Sequence, residues 1–280
     1  MFDVILDALL DSLKLLPFLF LTYLVMGILE RAASDKSKKL IKGAGRVGPV
    51  WGGLLGAIPQ CGFSTVASNF YVGRLITIGT LISIYLSTSD EMLPIMISEN
   101  VGAATILKIL GAKVVIGMIS GFVVDIALGW LVRRRKGRTV EEPVTCNCAG
   151  SILVSAIGHT LKVFVFILIF SLAINMLIFF VGEHALEAVL SNIPVLGEIL
   201  AGLVGLIPNC SASVAITQLY LDGIIGPGAM MSGLLVGAGV GLLVLVKENH
   251  HPKENMLIIA TLYGLGVFWG ILIDILGITF

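Results

Sequence analysis

The sequence predicts an all-α integral membrane protein made of two inverted-topology repeats, each with one membrane-embedded helical hairpin broken at Ile-Pro-x-Cys. Three observations predict it. The chain is 57% hydrophobic and 13% charged, with a mean hydropathy of +1.02. That leaves too little polar surface to cover a water-soluble globule of 280 residues. The second observation is that the chain matches itself when displaced by 149 residues. The third is that its lysines and arginines gather in a few loops, and positive charge marks the cytoplasmic side.

Each crossing of a bilayer needs about 20 apolar residues, and stretches 13–30, 75–98, 112–132, 152–182, 224–246 and 256–277 qualify. The first follows Asp3, Asp7 and Asp11 rather than a basic head, and no small-residue cleavage site follows it. No removable signal peptide is therefore expected. The three aspartates form one polar stripe of a short helix at the interface.

The displacement by 149 aligns Gly48 with Gly197, Pro59 with Pro208, Cys61 with Cys210 and Ser64 with Ser213. It continues without a gap through Glu99-Asn100 with Glu248-Asn249, Gly117 and Gly121 with Gly266 and Gly270, and Asp125 with Asp274. A register kept this long indicates duplication. The repeats span 1–132 and 151–280, joined by a linker over 133–150.

Topology follows from charge. Arg31, Lys36, Lys38, Lys39, Lys42 and Arg46 mark one loop, and Arg133, Arg134, Arg135, Lys136 and Arg138 mark the linker, so both face the cytoplasm. Two apolar spans, 75–98 and 112–132, lie between them. The segment 47–73 must then contribute an even number of crossings and double back, with its turn at Pro59-Gln60-Cys61. Backbone groups freed at such a turn are tolerable only where protein or trapped water surrounds them, so the tip lines a cavity. Each repeat crosses an odd number of times, which inserts the second copy upside down with both chain ends outside. Glu183 and Glu187 in a loop without Lys or Arg, and Lys247 with Lys253 in another, agree; Lys108 and Lys113, counted on the outer side, run against the trend.

Cys61 and Cys210 occupy equivalent positions of the two tips, where a pseudo-twofold would bring them together as a soft ligand pair; free cysteine is equally an ordinary small buried residue. Around them Gln60, Ser64, Thr65, Ser68 and Asn69 in the first tip, and Asn209, Ser211, Ser213, Thr217 and Gln218 in the second, offer amides and hydroxyls. Ser64 and Ser213 are candidates to cap the returning half-helices. Half-helix N-termini attract anions and unwound carbonyls attract cations, so the spacing alone does not choose the sign of the ligand. Asp90 and Glu91 fall inside an apolar span, where a carboxylate points to a coordinated ion or a proton relay.

The equivalent span of the second copy carries Gly233, Gly237, Gly239 and Gly241, which suit close helix packing. Asp125 and Asp274 read as helix-end anchors. Cys146 and Cys148 form a Cys-x-Cys in the linker that can chelate a soft metal or arsenic(III), although two ligands leave a zinc-type site incomplete. Four cysteines so placed imply no disulfide framework. No phosphate-cradling glycine loop with its lysine is present, so no ATP hydrolysis in cis, no enzyme activity and no cofactor is expected.

The segments IPQCGFS, IPNCSASVAITQLYLDG, GLLVGAGVGLLVLVKEN and GHTLKVFVFI resemble the family of ten-helix heavy-metal exporters, whose members carry the labels arsenic efflux protein and manganese transporter. The resemblance implies export of a metal or metalloid across the cytoplasmic membrane. Counting each hairpin arm as a helix gives five per repeat and ten in all, in keeping with it. Relatives often have a His- and Cys-rich linker; here only Cys146 and Cys148 remain.

The reading that results is a multi-pass secondary active transporter working by alternating access, its substrate held between Cys61 and Cys210. Tip amides and hydroxyls complete the shell, and Asp90 or Glu91 couples protons or holds a divalent cation. Thiols suit arsenite; carboxylates and amides suit manganese. Two alternatives are a small organic-anion transporter of similar hairpin architecture and a non-transporting membrane subunit that holds a partner. The expected partners are the metal or metalloid ion, the lipid bilayer and, as one option, further copies in a homo-oligomer; no nucleic acid is expected.

Overall fold

The computed structural model describes residues 47–57, 61–89, 92–134, 195–208 and 210–280 as continuous stretches, with single helical positions at 17, 20, 21, 24, 157, 158, 160, 161, 164, 165, 168 and 169. Most of the apolar stretches 13–30 and 152–182, and the linker cysteines Cys146 and Cys148, lie outside the described residues. Ten helices occupy the continuous stretches: α1 Gly48–Gly56, α2 Cys61–Val72, α3 Ile78–Ser87, α4 Met92–Ser98, α5 Ala103–Arg134, α6 Leu196–Gly205, α7 Cys210–Leu221, α8 Pro227–Val236, α9 Val240–Glu248 and α10 Pro252–Ile275. The described residues contain no strand.

Displaced by 149 residues, each of the helices α1 to α5 starts within one residue of its counterpart among α6 to α10. The contacts recur in the same register. Ser83 Oγ donates to Pro49 O at 2.7 Å, and its counterpart Ser232 Oγ donates to Glu198 O at 2.7 Å. Asp125 Oδ1 accepts from Gly79 N at 2.8 Å, and Asp274 Oδ1 from Gly228 N at 2.8 Å. These aspartates are the helix anchors that the sequence suggests. A carboxylate on α5 or α10 satisfies an otherwise orphaned N–H at the start of α3 or α8, where the helix dipole favours negative charge. Thr77 strengthens the first copy, donating to Asp125 Oδ2 at 2.7 Å while accepting from Thr80 N at 3.1 Å.

The stretch 75–98 is not one helix. α3 stops at Ser87, where Thr88 turns to ψ 131°, and α4 resumes at Met92. The second copy is interrupted at the same register, between Val236 and Val240, with Gly237 at ψ 77°. Gly239 there has φ 54°, a left-handed conformation that glycine alone adopts without penalty. Thr88 and Asp90 of the first copy align with Gly237 and Gly239 of the second.

These interrupted helices are the centre of the molecule. Every residue of α3 from Gly79 to Ser87, and of α8 from Gly228 to Val236, is buried. α3 packs between α1 and α5, and α8 between α6 and α10. The long helices α5 and α10 are the outer wall. Leu107, Val115, Ile119, Val123 and Ile126 form an exposed stripe on α5 opposite buried Ile106, Ile109, Ile116 and Val124, the pattern of a helix with one face to lipid. Ala103–Ala127, Pro227–Glu248 and Pro252–Ile275 are each long and apolar enough to cross a membrane.

The halves interlock through α2 and α7: α2 packs mainly on α9 of the other half, α7 reaches α4, and α2 and α7 touch α1 and α6 only lightly. Ser64 and Ser213 lie one turn inside α2 and α7, which begin at Cys61 and Cys210, so neither is the helix cap that the sequence suggests. At the far end of α2, Arg74 Nη1 donates to Glu254 Oε1 at 2.9 Å, and the Tyr71 hydroxyl donates to the same carboxylate, clasping the halves together. Where α2 meets α9 the backbones nearly touch: a Cβ on Gly241 would lie 2.8 Å from Ser64 C and O.

Gly241→Val is therefore expected to lower stability by about 1–3 kcal/mol through overpacking, seen as a fall of several degrees in the thermal unfolding midpoint of detergent-purified protein. Gly264→Ala, where nothing lies within 4 Å of the added carbon, should leave it unchanged or slightly raised.

Candidate functional site

A small cavity, about 20 Å³, sits where both interruptions meet the junction of α6 and α7. That is room for one water molecule or one small ion. Thr88, Ser89 and Met92 line it from the first interruption, Leu234, Gly237 and Gly239 from the second, and Ile207, Ala212 and Ser213 from the end of α6 and the start of α7. Lys113 enters from α5.

Lys113 is 1% exposed, although charge counting assigns it to the outer side. It follows ten residues after the start of α5, about 15 Å along the axis, or half the thickness of a hydrocarbon core of about 30 Å. Its Nζ donates to Leu234 O at 3.0 Å and also to Thr88 O. Both acceptors belong to the C-terminal ends of half-helices, one from each half of the chain. In a continuous helix Ala238 N would serve Leu234 O, but here it turns back to Val236 O at 2.7 Å. The ammonium thus meets carbonyls freed by the interruptions and the partial negative charge of two helix ends. A cation at this depth needs such partners.

The hydroxyls beside it are engaged as donors. Thr88 Oγ1 donates to Ile84 O at 2.8 Å, Ser89 Oγ to Ser87 O at 3.1 Å and Ser87 Oγ to Ser83 O at 2.8 Å. A hydroxyl whose proton is committed keeps its lone pairs, so the wall is rich in oxygen acceptors. Among the described residues no group of three or more His, Cys, Asp or Glu side chains converges.

A second polar cluster lies where α2 crosses α9. Ser68 Oγ is 2.7 Å from Ser64 O, from Gly241 O and from the Tyr85 hydroxyl, and the Tyr85 hydroxyl donates to Gly241 O at 3.2 Å. Ser64 and Thr65 are fully buried and Asn69 nearly so; Asn69 Nδ2 has no hydrogen-bond partner among the described residues.

Of the residues that the sequence nominates, Ser213 lines the cavity. Ser64 and Asn69 belong to the neighbouring α2 cluster. Gln218 points along the surface of α7, with Nε2 3.5 Å from Asp222 Oδ1, and takes no part in the cavity wall. Cys61 and Cys210 are the first residues of α2 and α7; their side chains are outside the described residues, as are Gln60, Asn209, Asp90, Glu91, Cys146 and Cys148. Sequence reasoning places Lys113 on the outer side and passes over the second interruption. The signals are there: a lysine with apolar neighbours three and four residues away on both sides, and a Gly-Ala-Gly at the register of Thr88-Ser89-Asp90.

Residues 1–183 match the family model described as "Putative, 10TM heavy-metal exporter". No curated protein and no solved structure matches the chain.

Tyr85→Phe removes the hydroxyl that links Ser68 to Gly241 across the halves. It is expected to cost about 1 kcal/mol, read as a lowered thermal unfolding midpoint, with Ser68→Ala giving a similar loss and the double variant less than the sum of the two.

Proposed function

The chain belongs to the family of ten-helix heavy-metal exporters, and on that premise we propose that it is a secondary active transporter that carries a metal or metalloid ion out through the cytoplasmic membrane by alternating access between two inverted repeats. Repeats over 1–132 and 151–280 act as the moving halves, and the linker 133–150 lies in the cytoplasm. The observation that carries this reading is the convergence, on one buried cavity, of two interrupted helices and a hairpin tip drawn from both halves. Substrate sites of alternating-access transporters have this construction.

Support for a twofold relation comes from Trp269 Nε1, which donates to Ser120 Oγ at 2.9 Å. The two residues occupy equivalent positions, 149 apart, and equivalent residues touch where a twofold axis passes. Support for inversion comes from the distribution of Lys and Arg and from the short segments between helices at Ile-Pro-x-Cys, which act as re-entrant hairpin tips.

The cavity wall is more apolar than polar, and its polar groups include three hydroxyls. Hydroxyls of Thr88, Ser89 and Ser213 with freed carbonyls suit a hard divalent cation such as manganese, with Asp90 or Glu91 of the first interruption supplying a carboxylate. Gln60 and Asn209 of the tips, and Ser64, Asn69 and Gln218 further along the arms, serve the path to it. A second reading has its own observation: Cys61 and Cys210 open α2 and α7 at equivalent positions, and two thiolates suit arsenite, with Cys146 and Cys148 gathering the ion on the cytoplasmic side.

Cells producing the protein are expected to hold severalfold less manganese than cells lacking it, measured by elemental mass spectrometry, and Ser213→Leu, which fills the cavity, should remove the difference. Loss of arsenic export alone in a Cys61→Ser, Cys210→Ser double variant would assign the thiols to arsenite. Unchanged contents of both elements on expression would defeat the export reading.

A further inference from the structure

We infer that the Lys113 ammonium is a tethered stand-in for the transported cation: it rests on the carbonyl oxygens that the substrate takes over, and leaves them when the substrate arrives. The inference deepens the export reading above and rests on it.

Main-chain carbonyls freed from two interrupted helices and aimed at one positive group are the construction by which broken helices coordinate cations. Here that positive group is supplied by the chain. Leu234 O loses its helical donor because Ala238 N bonds Val236 O instead, and Lys113 Nζ takes its place at 3.0 Å. The same nitrogen donates to Thr88 O in the other half. Adjacent hydroxyls of Thr88 and Ser89 have committed their protons to Ile84 O and Ser87 O, so their remaining capacity is to accept. The surroundings of this nitrogen are therefore those of a cation site with an ammonium in it.

Packing does not require a lysine there. The equivalent position of the second repeat holds Leu262, 0% exposed, in the same place on the long helix of its half. A lysine appears only in the copy whose long helix reaches the cavity, beside space for one further small ion. Four methylenes carry the ammonium, so it can withdraw along the cavity without moving α5. The exchange keeps the freed carbonyls satisfied at every stage, either by Lys113 or by the substrate, which a dry interior demands.

The test is manganese(II) binding to the full-length protein in detergent, by titration calorimetry and by the metal-induced rise in thermal unfolding midpoint, at one fixed pH. Lys113→Gln keeps hydrogen-bond donors for the two carbonyls but removes the charge; it is expected to bind manganese at least tenfold more tightly than the wild type. Lys113→Arg keeps a fixed cation and is expected to bind no more tightly than the wild type. Lys113→Met, if it folds, is expected to be unstable without metal and to recover with manganese but not with choline, which a purely structural lysine does not predict. If Lys113→Gln binds no more tightly than the wild type, the inference falls while the export reading stands. If neither the wild type nor any variant binds manganese, the divalent-cation reading falls and takes the inference with it.

Discussion

The rest of the structure depends on one constraint: two helices are interrupted in the middle of an apolar body, and the backbone groups released there have no bulk water to turn to. A freed carbonyl or N–H in such a setting costs several kcal/mol unless the protein supplies a partner. Most of the unusual residues of this chain are those partners. Hydroxyls of Thr88 and Ser89 fold back onto carbonyls at the end of α3, Lys113 bridges a freed carbonyl from each half, and the Ser68–Tyr85 pair adds a bridge to the Gly241 carbonyl of α9. The helix starts are treated the same way from outside, by Asp125 and Asp274. Polar side chains in this interior are therefore first a means of holding broken backbone, and that arrangement is what opens a cavity able to hold an ion.

Close approach of helices is the second requirement, because polar bridges of this length work only if backbones are near. Gly241 brings α9 against Ser64 of α2, and Ser83 and Ser232 reach the backbone of α1 and α6 at 2.7 Å. Without apolar burial against water to drive association, small residues and interhelical hydrogen bonds carry the cohesion of such a bundle. The interlocking of α2 with α9 and of α7 with α4 then means that neither half completes its packing alone. On the proposed function, a substrate lodged at this shared centre would be held by both halves at once.

Much of this was legible in the sequence. The 149-residue register predicts which helices recur, and the helices following Ile-Pro-x-Cys begin at Cys61 and Cys210 in both copies. Asp125 and Asp274 were legible as anchors because an acid near a helix end has few other uses in apolar surroundings. The second interruption was not, because glycines in an apolar run signal close packing and helix breaks alike: Gly241 does the former, Gly239 the latter. Lys113 was misplaced because counting charges assumes that each lysine marks a loop, whereas its place on the buried stripe of Ile109, Ile116 and Ser120 depends on partners that lie 25 and 121 residues away. Periodicity reports that a face is buried; it does not report against what. The pairing of α2 and α7 with the opposite half was hidden for the same reason.

The single lysine has one more implication. Two halves copied from one pattern would, if identical, give a carrier whose two extreme postures mirror each other and so have equal energy. With Lys113 on one side and Leu262 on the other, that degeneracy is lifted. On the proposed alternating-access reading, the unloaded molecule would acquire a resting posture, the one in which the ammonium reaches both helix ends.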